Sequence, residues 1–479
     1  MNFEQVIGLE VHCELKTNSK MFTASPVTFG KEPNTMINEV DMSMPGTLPV
    51  LNKRGVEFGL RVCHALHMEI DELLCFDRKN YYYSDLPRGY QVTQDKRPIG
   101  KNGYIDVEVD GKTKRIEIER LHLEEDTAKQ LHFSDYTLID FNRSGIPLIE
   151  IVTKPNIRSG AEAAAYLEKL RQIFLYTEIS DAKLEEGSMR CDVNISIRPF
   201  GSEKFGTRIE IKNLNSISNV QKAIEFESLR QEKVLIQGGS LVQETRRFDE
   251  TLKETVTMRA KGDAVDYKYY PEPNIMPVRL DHDWVMSIKE ALPMMADERE
   301  KLYREEYDIP AIDAKNLVAT KQMSDFFNEA IKDCKHYKLV SNWLLGEVLA
   351  YLNKMNVTLS DTPLTPLYLA KMINFIQDET ISSKQAKKVF ELIMKEGKDP
   401  EIIIEEKHMK QISNVEELTK IINEVLDANQ QSIIDFKNGK DRAMGFLVGQ
   451  IMKKSGGQAN PTKTNQILIQ LLKERAAAL

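Results

Sequence analysis

The sequence contains no long apolar run of the kind that spans a membrane. Such a span needs about 18 consecutive, mostly apolar residues, and the 479 residues include none. The opening residues, MNFE, offer neither the basic nor the apolar segment of a secretory signal. We therefore expect a protein without a membrane partner that works in the cytoplasm.

Cysteine is also scarce. The chain has five cysteines, an odd number, and no two of them form a Cys-x-x-Cys pair. This count and spacing disfavour both a disulfide framework and a structural zinc site. Cysteine usage therefore predicts a reducing compartment, which agrees with the cytosol.

Common phosphate-binding motifs are missing as well. The sequence has no Walker A motif, no Rossmann glycine motif and no protein-kinase motif set. The stretch 201–208, GSEKFGTR, imitates a phosphate loop, but it lacks the lysine before its threonine and links two predicted strands. We therefore reject a phosphate loop here.

The chain as a whole has no excess of positive charge. Its net charge is −8, whereas the segment from Lys407 to the C-terminus carries 11 Lys/Arg against 7 Asp/Glu, a net of +4 that leaves −12 for residues 1–406. A mildly basic tail on an acidic body is compatible with an RNA contact at the C-terminal end. Uneven surface charge without any partner is the alternative.

The spacing of apolar residues divides the chain into three parts. Residues 1–293 alternate between β-patterned runs and a few helices, whereas apolar residues beyond about 295 recur at helical spacing. A Lys/Gly stretch at 395–398 precedes a last all-helical segment. We predict an α+β protein: a first domain, 1–293, on a mixed or antiparallel sheet, a helical domain, 294–406, and a helical tail domain, 407–479.

The stretch Val6–Thr17 alternates strictly between apolar and polar residues. Its polar members Glu10, His12 and Glu14 point to one face of the predicted strand. A row of acid, imidazole and acid can bind a divalent metal or relay protons. The alternative is a solvated sheet face that carries a histidine.

Later segments supply matching carboxylates. The apolar phase of residues 115–123 predicts a bulge near Glu119–Arg120, after which the strand runs into Glu124 and Glu125. Glu150 stands alone in an apolar run, so its charge requires a metal or a partner such as Arg143.

Two further predicted strands have charged faces. Residues 188–198 and 207–214 each combine an apolar face with a polar one, which bears Arg190, Asp192 and Lys212 among others. The segment 76–94, with Lys79 and several tyrosines, suits an anionic or planar ligand, or is a plain tyrosine-rich loop.

These residues together indicate one polar site built from sheet faces. Because no thiolate joins them, histidine and carboxylates favour Mg²⁺ or Mn²⁺ over zinc. Nearby Lys and Arg suit phosphoryl transfer, which depends on positioning and charge neutralisation. The residues alone support a metal-dependent enzyme with a recognition arm. The candidates are Glu10, His12, Glu124, Glu125, Glu150 and Asp192.

Short motifs along most of the chain, in a fixed order, give further information about its function. They are IGLEVH at 7–12, FDRKNY at 76–81, LHLEED at 121–126, PLIEIV at 147–152, RCDVNIS at 190–196, IKNLNS at 211–216, YPEP at 270–273 and GFLVGQ at 445–450. In these motifs the chain resembles the B subunits of the tRNA-dependent amidotransferases.

The resemblance implies a carbon–nitrogen ligase with glutamine as amido donor, which converts mischarged Glu-tRNA(Gln) or Asp-tRNA(Asn) to the correct amide. This chain would use ATP and Mg²⁺ to phosphorylate the tRNA-bound carboxylate, and ammonia would then displace phosphate. The implied partners are a glutaminase subunit, a small clamp subunit, and tRNA bound by the helical and tail domains. A non-catalytic tRNA-binding role in the complex is the alternative.

The resemblance also implies residue roles. The metal ligands would be His12, Glu125 and Glu150. The catalytic residues would be Lys79, Glu124 and Asp192. Nucleotide contacts would come from Glu10, Arg190 and Lys212.

Overall fold

The computed structural model describes residues 2–260, 267–412, 414–438 and 442–478. The chain divides into two compact units, Met1–Ala296 and Asp297–Leu479. The first unit is built on sheets and the second on helices, which confirms the predicted α+β class. Residue 293, the predicted end of the first domain, lies close to this division. The separation of a tail domain at residue 407 stays a prediction.

The strands of the described residues all lie in the first unit. They are β1 (Phe3–Glu14), β2 (Glu69–Ile70), β3 (Leu73–Leu74), β4 (Asp77–Asn80), β5 (Tyr90–Thr93), β6 (Gly100–Val109), β7 (Lys112–Glu125), β8 (Lys129–His132), β9 (Thr137–Asp140), β10 (Pro147–Thr153), β11 (Met189–Pro199), β12 (Ile209–Lys212), β13 (Glu244–Asp249), β14 (Glu254–Ala260), β15 (Tyr270–Pro271) and β16 (Val278–Arg279).

Nine of these strands form one sheet, in the order β14-β13-β12-β11-β1-β10-β7-β6-β2. Its strand pairs are antiparallel except for β12 and β13, which run parallel. Smaller sheets join β15-β4-β5, β16-β3 and β8-β9. The strand β1, on which the sequence places the acid–imidazole row, thus lies at the centre of the large sheet.

The first unit contains helices α1 (Lys53–Ala65), α2 (Gly160–Tyr176), α3 (Ile217–Ile236) and α4 (His282–Glu290). The helices that follow are α5 (Ala296–Glu305), α6 (Ala311–Leu317), α7 (Lys321–Asp333), α8 (Tyr337–Trp343), α9 (Leu349–Met355), α10 (Pro366–Gln377), α11 (Ser383–Glu396), α12 (Pro400–Glu406), α13 (Val415–Ala428), α14 (Gln430–Lys437), α15 (Arg442–Lys454) and α16 (Pro461–Ala478). A π-helical turn, Leu344–Val348, joins α8 to α9, and a 3-10 turn spans Leu359–Asp361.

One face of the large sheet forms the hydrophobic core. The apolar members of β1, including Leu9 and Val11, are fully buried and belong to the same cluster as Tyr166 and Leu170 of α2. Helix α2 begins where the Ser159 side chain accepts a hydrogen bond from the Glu162 amide. Because strand residues alternate between faces, the polar members of β1 lie on the opposite side.

The predicted bulge on β7 is confirmed. Val152 of β10 pairs with Arg120, but the next residue, Thr153, pairs with Ile118, so Glu119 is the extra residue. The bulge reverses the alternation of β7. Ile118 is buried before it and Leu121 after it, so the even-numbered residues that follow face away from the core.

In the described residues of the second unit, the regular secondary structure is helical apart from one isolated β-bridge between Ile412 and Ala459. Apolar residues of α13, α15 and α16, such as Leu418, Leu447 and Leu468, form a hydrophobic cluster. In the part of the chain that the structure describes, no helix combines the length and the apolar character that a membrane crossing requires.

All five cysteines are free thiols. Cys13, Cys63, Cys191 and Cys334 are buried, whereas Cys75 is half-buried. Burial raises the pKa of the Cys13 thiol to about 12, which keeps it protonated and unreactive.

The tight approach of Gly206 to β11 yields a stability prediction. A Cβ at this position would lie 2.1 Å from the Ile197 carbonyl oxygen, and a backbone atom inside a sheet cannot move aside. Gly206→Ala is therefore expected to destabilise the first unit by about 1–3 kcal/mol in chemical and thermal unfolding. Gly445→Ala is the control, because that glycine lies in α15 with no atom within 4 Å of its added Cβ. Equal stability of Gly206→Ala and the wild type would contradict the prediction.

Candidate active site

The polar side of the large sheet carries a cavity of about 330 Å³. Strands β12, β11, β1, β10 and β7 contribute to it, and every side chain that lines it is polar. Six carboxylates line the cavity, together with four Lys/Arg side chains, two histidines and two tyrosines. Seven of the nine residues predicted from the sequence are among them: Glu10, His12, Lys79, Glu124, Glu150, Asp192 and Lys212.

A cluster of two histidines and two carboxylates lies on three neighbouring strands. His12 Nε2 is 3.2 Å from Glu150 Oε2 and 3.7 Å from Glu124 Oε1. His122 Nε2 is 3.2 Å from Glu150 Oε2 and 3.5 Å from Glu124 Oε2. The sheet register produces this arrangement, because Glu150 of β10 pairs directly with His12 of β1 and with His122 of β7.

These groups shift one another's pKa values. Burial disfavours the charged form of His122, but the charge of Glu150 and hydrogen bonds to both carboxylates outweigh it and raise its pKa to about 9. Burial likewise opposes the charge on His12, and the hydrogen bond with Glu150 raises its pKa. Burial alone would raise the pKa of Glu150, but the two imidazoles hold it well below its usual range. The protonated imidazoles therefore neutralise the charge of the carboxylates.

The same cluster fits a divalent cation. Ligand atoms of His12, Glu124 and Glu150 all lie within 4.8 Å of one another. One imidazole with two carboxylates is a donor set suited to Mg²⁺ or Mn²⁺. The Nε2 atom of His122 faces the carboxylates, whereas its Nδ1 atom is buried without a hydrogen-bond partner. No hydrogen bond at Nδ1 therefore fixes the tautomer of this imidazole. A cation would replace the imidazolium charge, and binding would release protons.

A second acidic cluster lies on β1, β11 and β12. Ligand atoms of Glu10, Asp192 and Glu210 lie within 4.8 Å of one another. Lys212 Nζ is 2.6 Å from Asp192 Oδ2 and 3.3 Å from Glu210 Oε1. Burial, together with the charges of Glu150 and Asp192, raises the pKa of Glu10. The predicted residues Glu10, Asp192 and Lys212 therefore act on one another at this end of the cavity.

Lys79 of β4 lies between the acidic cluster and an aromatic group. Its ammonium is 4.7 Å from the ring centroid of Tyr267 and 5.9 Å from that of Tyr81. Burial disfavours its charge, but Glu124 and other nearby groups raise its pKa. Lys79 therefore brings a positive charge into the cavity, as a site for phosphate requires.

Glu125, a predicted metal ligand, does not join the cluster of His12, Glu124, Glu150 and His122, in which its neighbour Glu124 takes part. Neighbouring strand residues point to opposite faces, so Glu125 lies on the same side of β7 as buried Leu123. Its carboxylate forms an ion pair with Arg88 and accepts a hydrogen bond from the Val92 amide at 3.0 Å.

Arg190 is the second predicted residue that the structure places elsewhere. Its guanidinium forms an ion pair with Asp126 and another with Glu14, whose Oε1 is 3.0 Å from Nη2. Arg190 does not line the cavity described above, so the predicted nucleotide contact is not supported.

Glu210, of the second acidic cluster, and His122 are site residues that the sequence interpretation missed, and His122 could have been found. The signal was present, because the apolar phase after the bulge places Leu121 and Leu123 in the core and thus His122 and Glu124 on the polar face. A consistent use of this alternation would have selected both residues instead of Glu125.

Two family models identify the class of protein. Residues 5–286 match the family model described as the GatB/GatE catalytic domain, and residues 325–472 match the model described as the GatB domain. The chain belongs to this family, which confirms the resemblance seen in the motifs.

Relatives narrow the assignment within the family. The chain is 55% identical over 475 residues, 99% of its own length and 100% of the relative's, to the aspartyl/glutamyl-tRNA(Asn/Gln) amidotransferase B subunit of Bacillus mycoides (strain KBAB4). It is 54% identical to the corresponding B subunits of Bacillus cereus (strain AH187) and Bacillus thuringiensis (strain Al Hakam). Each of these alignments again covers 99% of this chain and 100% of the relative. It is thus a member of the group of amidotransferase B subunits.

The raised pKa of His122 predicts a pH-dependent stability in the presence of a chelator. Stabilisation by the protonated imidazole is fully present below the ordinary value of 6.5 and is lost as pH rises through about 9. The wild type should therefore have a higher thermal midpoint than His122→Asn at pH 6, and the difference should disappear above pH 9. His132→Asn, at an exposed position on β8, is the control. A difference that stays constant from pH 6 to 10 would show that no imidazolium is present.

Proposed function

We propose that this chain catalyses the ATP-dependent step in the transamidation of mischarged Glu-tRNA(Gln) or Asp-tRNA(Asn). It phosphorylates the side-chain carboxylate of the tRNA-bound amino acid and accepts ammonia to form the amide. The observation that carries the proposal is the cluster of His12, Glu124, Glu150 and His122, next to Lys79, in a wholly polar cavity.

The chemistry explains why such a cavity is needed. A carboxylate is a poor electrophile, so its oxygen first attacks the γ-phosphorus of ATP, and ADP leaves. Ammonia then attacks the acyl carbon, phosphate leaves, and a base takes a proton from nitrogen. Mg²⁺, when held by His12, Glu124 and Glu150, supplies charge neutralisation at the phosphoryl group.

The protein's own side chains supply the remaining steps. Lys79 binds and orients the phosphoryl oxygens by its positive charge. Glu10 has a pKa raised by burial and by its acidic neighbours, which makes it suited to take the proton from the attacking ammonia. Lys212 pairs with Asp192 and keeps it in place beside Glu10.

Ammonia is supplied by another protein in this proposal. The residues that line the cavity include no cysteine or serine, the nucleophiles with which glutamine is commonly hydrolysed. The family resemblance implies a separate glutaminase subunit and a small clamp subunit that joins the two; we propose both as partners of this chain and the cytoplasm as its place of action. The helical regions 294–406 and 407–479 contact tRNA, to which the net charge of +4 in the tail contributes.

The test is ATP-dependent amidation of Glu-tRNA(Gln) or Asp-tRNA(Asn) by the reconstituted complex. Glu124→Gln and Glu150→Gln each remove a carboxylate charge from the proposed cation site and should lower the rate by about two to three orders of magnitude. Glu117→Gln, at an exposed position on the same strand as Glu124, is the matched control and should stay near wild type.

The outcomes separate two roles for the chain. Loss of amidation with unchanged tRNA binding supports catalysis in this cavity. Full activity of Glu124→Gln and Glu150→Gln would remove the cavity from the reaction and leave a tRNA-binding role.

A further inference from the structure

We propose that Tyr267 and Tyr269 form the binding site for an adenine ring of the substrates. The inference rests on the proposed function, because both substrates of that reaction present adenine: ATP carries it as its base, and tRNA ends in an adenosine that bears the amino acid. Neither tyrosine has a role in the chemical steps described above.

The composition of the cavity leads to this assignment. Tyr267 and Tyr269 are its two phenol rings, and the other lining residues are charged, amide, threonine or histidine side chains. The histidines are engaged by carboxylates. A nucleotide needs a flat ring on which its base can stack as well as charge for its phosphates, and the two phenols offer such rings.

The two rings are arranged to receive a planar group. Their centroids are 6.1 Å apart, and their planes are inclined by 62°. Although both line the cavity, 36% of Tyr267 and 37% of Tyr269 remain exposed. A base can therefore lie flat against one ring and meet the other edge-on, which is the favoured geometry of aromatic pairs. Tyr81 supports Tyr267 from another side, with centroids 5.5 Å apart and planes at 77°.

Two hydrogen bonds from Asn80 reach the backbone of the segment that carries the two tyrosines. The Asn80 amide donates a hydrogen bond to the Tyr267 carbonyl at 2.8 Å, and Asn80 Nδ2 donates one to the Lys268 carbonyl at 2.7 Å. Lys268 between the two rings has a φ of +40°. The segment is thereby tied to the end of β4, so little ordering is required when a base binds.

Lys79 connects the rings to the site of chemistry. Its ammonium lies 4.7 Å from the Tyr267 centroid, and it lines the same cavity as Glu124 and Glu150. A base on the phenols would leave the adjoining phosphate or ribose within the same cavity as Lys79 and the acidic cluster. Lys79 is thus close to one of the rings and interacts with the carboxylates, so its charge is available to the phosphate or ribose of a nucleotide whose base lies on the phenols.

The first test measures KM for ATP and for the mischarged tRNA separately, in the reconstituted complex. Loss of base stacking should raise one of these KM values about 5- to 150-fold in Tyr267→Ala and Tyr269→Ala. Tyr267→Phe and Tyr269→Phe keep the rings and should restore the KM. Tyr82→Ala, at a fully exposed tyrosine outside the cavity, is the matched control. A rise for ATP assigns the base of ATP to the site, and a rise for tRNA assigns its terminal adenosine.

The second test uses the unaltered complex and so does not depend on the variants folding. Photolabelling with 8-azido-ATP, and with tRNA that ends in 8-azidoadenosine, should modify the segment of Tyr267–Tyr269 with one of the two probes. Labelling elsewhere with both probes, or unchanged KM values in both alanine variants of an active complex, would overturn the adenine site and leave the amidation proposal standing. An unaltered complex that does not amidate tRNA would instead overturn the proposed function.

Discussion

The site depends on the hydrogen-bond register of three antiparallel strands. Because His12 of β1, Glu150 of β10 and His122 of β7 occupy one row across the sheet, their side chains meet on one face without any loop to arrange them. A slip of one residue in either pairing would turn a whole strand's polar row into the core. The apolar residues on the other face set this register, and they therefore determine which polar side chains meet in the site.

Local patterns in the sequence were sufficient to predict several elements of the first unit. The alternation around Glu10 and His12 was sufficient to assign a strand with a polar face, and the apolar offset near Glu119 was sufficient to locate the bulge. The predicted change from strand to helical spacing falls within a few residues of the division between the two compact units. Each of these signals depends on side-chain periodicity within one element, which is visible without knowledge of the partners.

The sequence patterns did not show which strands pair with one another in the sheet. Strand β1 pairs with β10 and β11, which lie more than a hundred residues further along the chain, and no periodicity specifies such a pairing. Glu125 was assigned to the metal by resemblance, although the alternation after the bulge favours Glu124. Arg190 lies on a polar face as expected, but Asp126 and Glu14 engage its guanidinium, and those contacts depend on the tertiary structure.

The distribution of thiols gives the protein a built-in reporter position. Four cysteines are buried, whereas Cys75 is half-buried and lies two residues before the strand that bears Lys79. A maleimide fluorophore applied to the folded chain would therefore attach selectively there. Its emission would follow events near that lysine in the unmodified sequence, without engineered cysteines or removal of native ones.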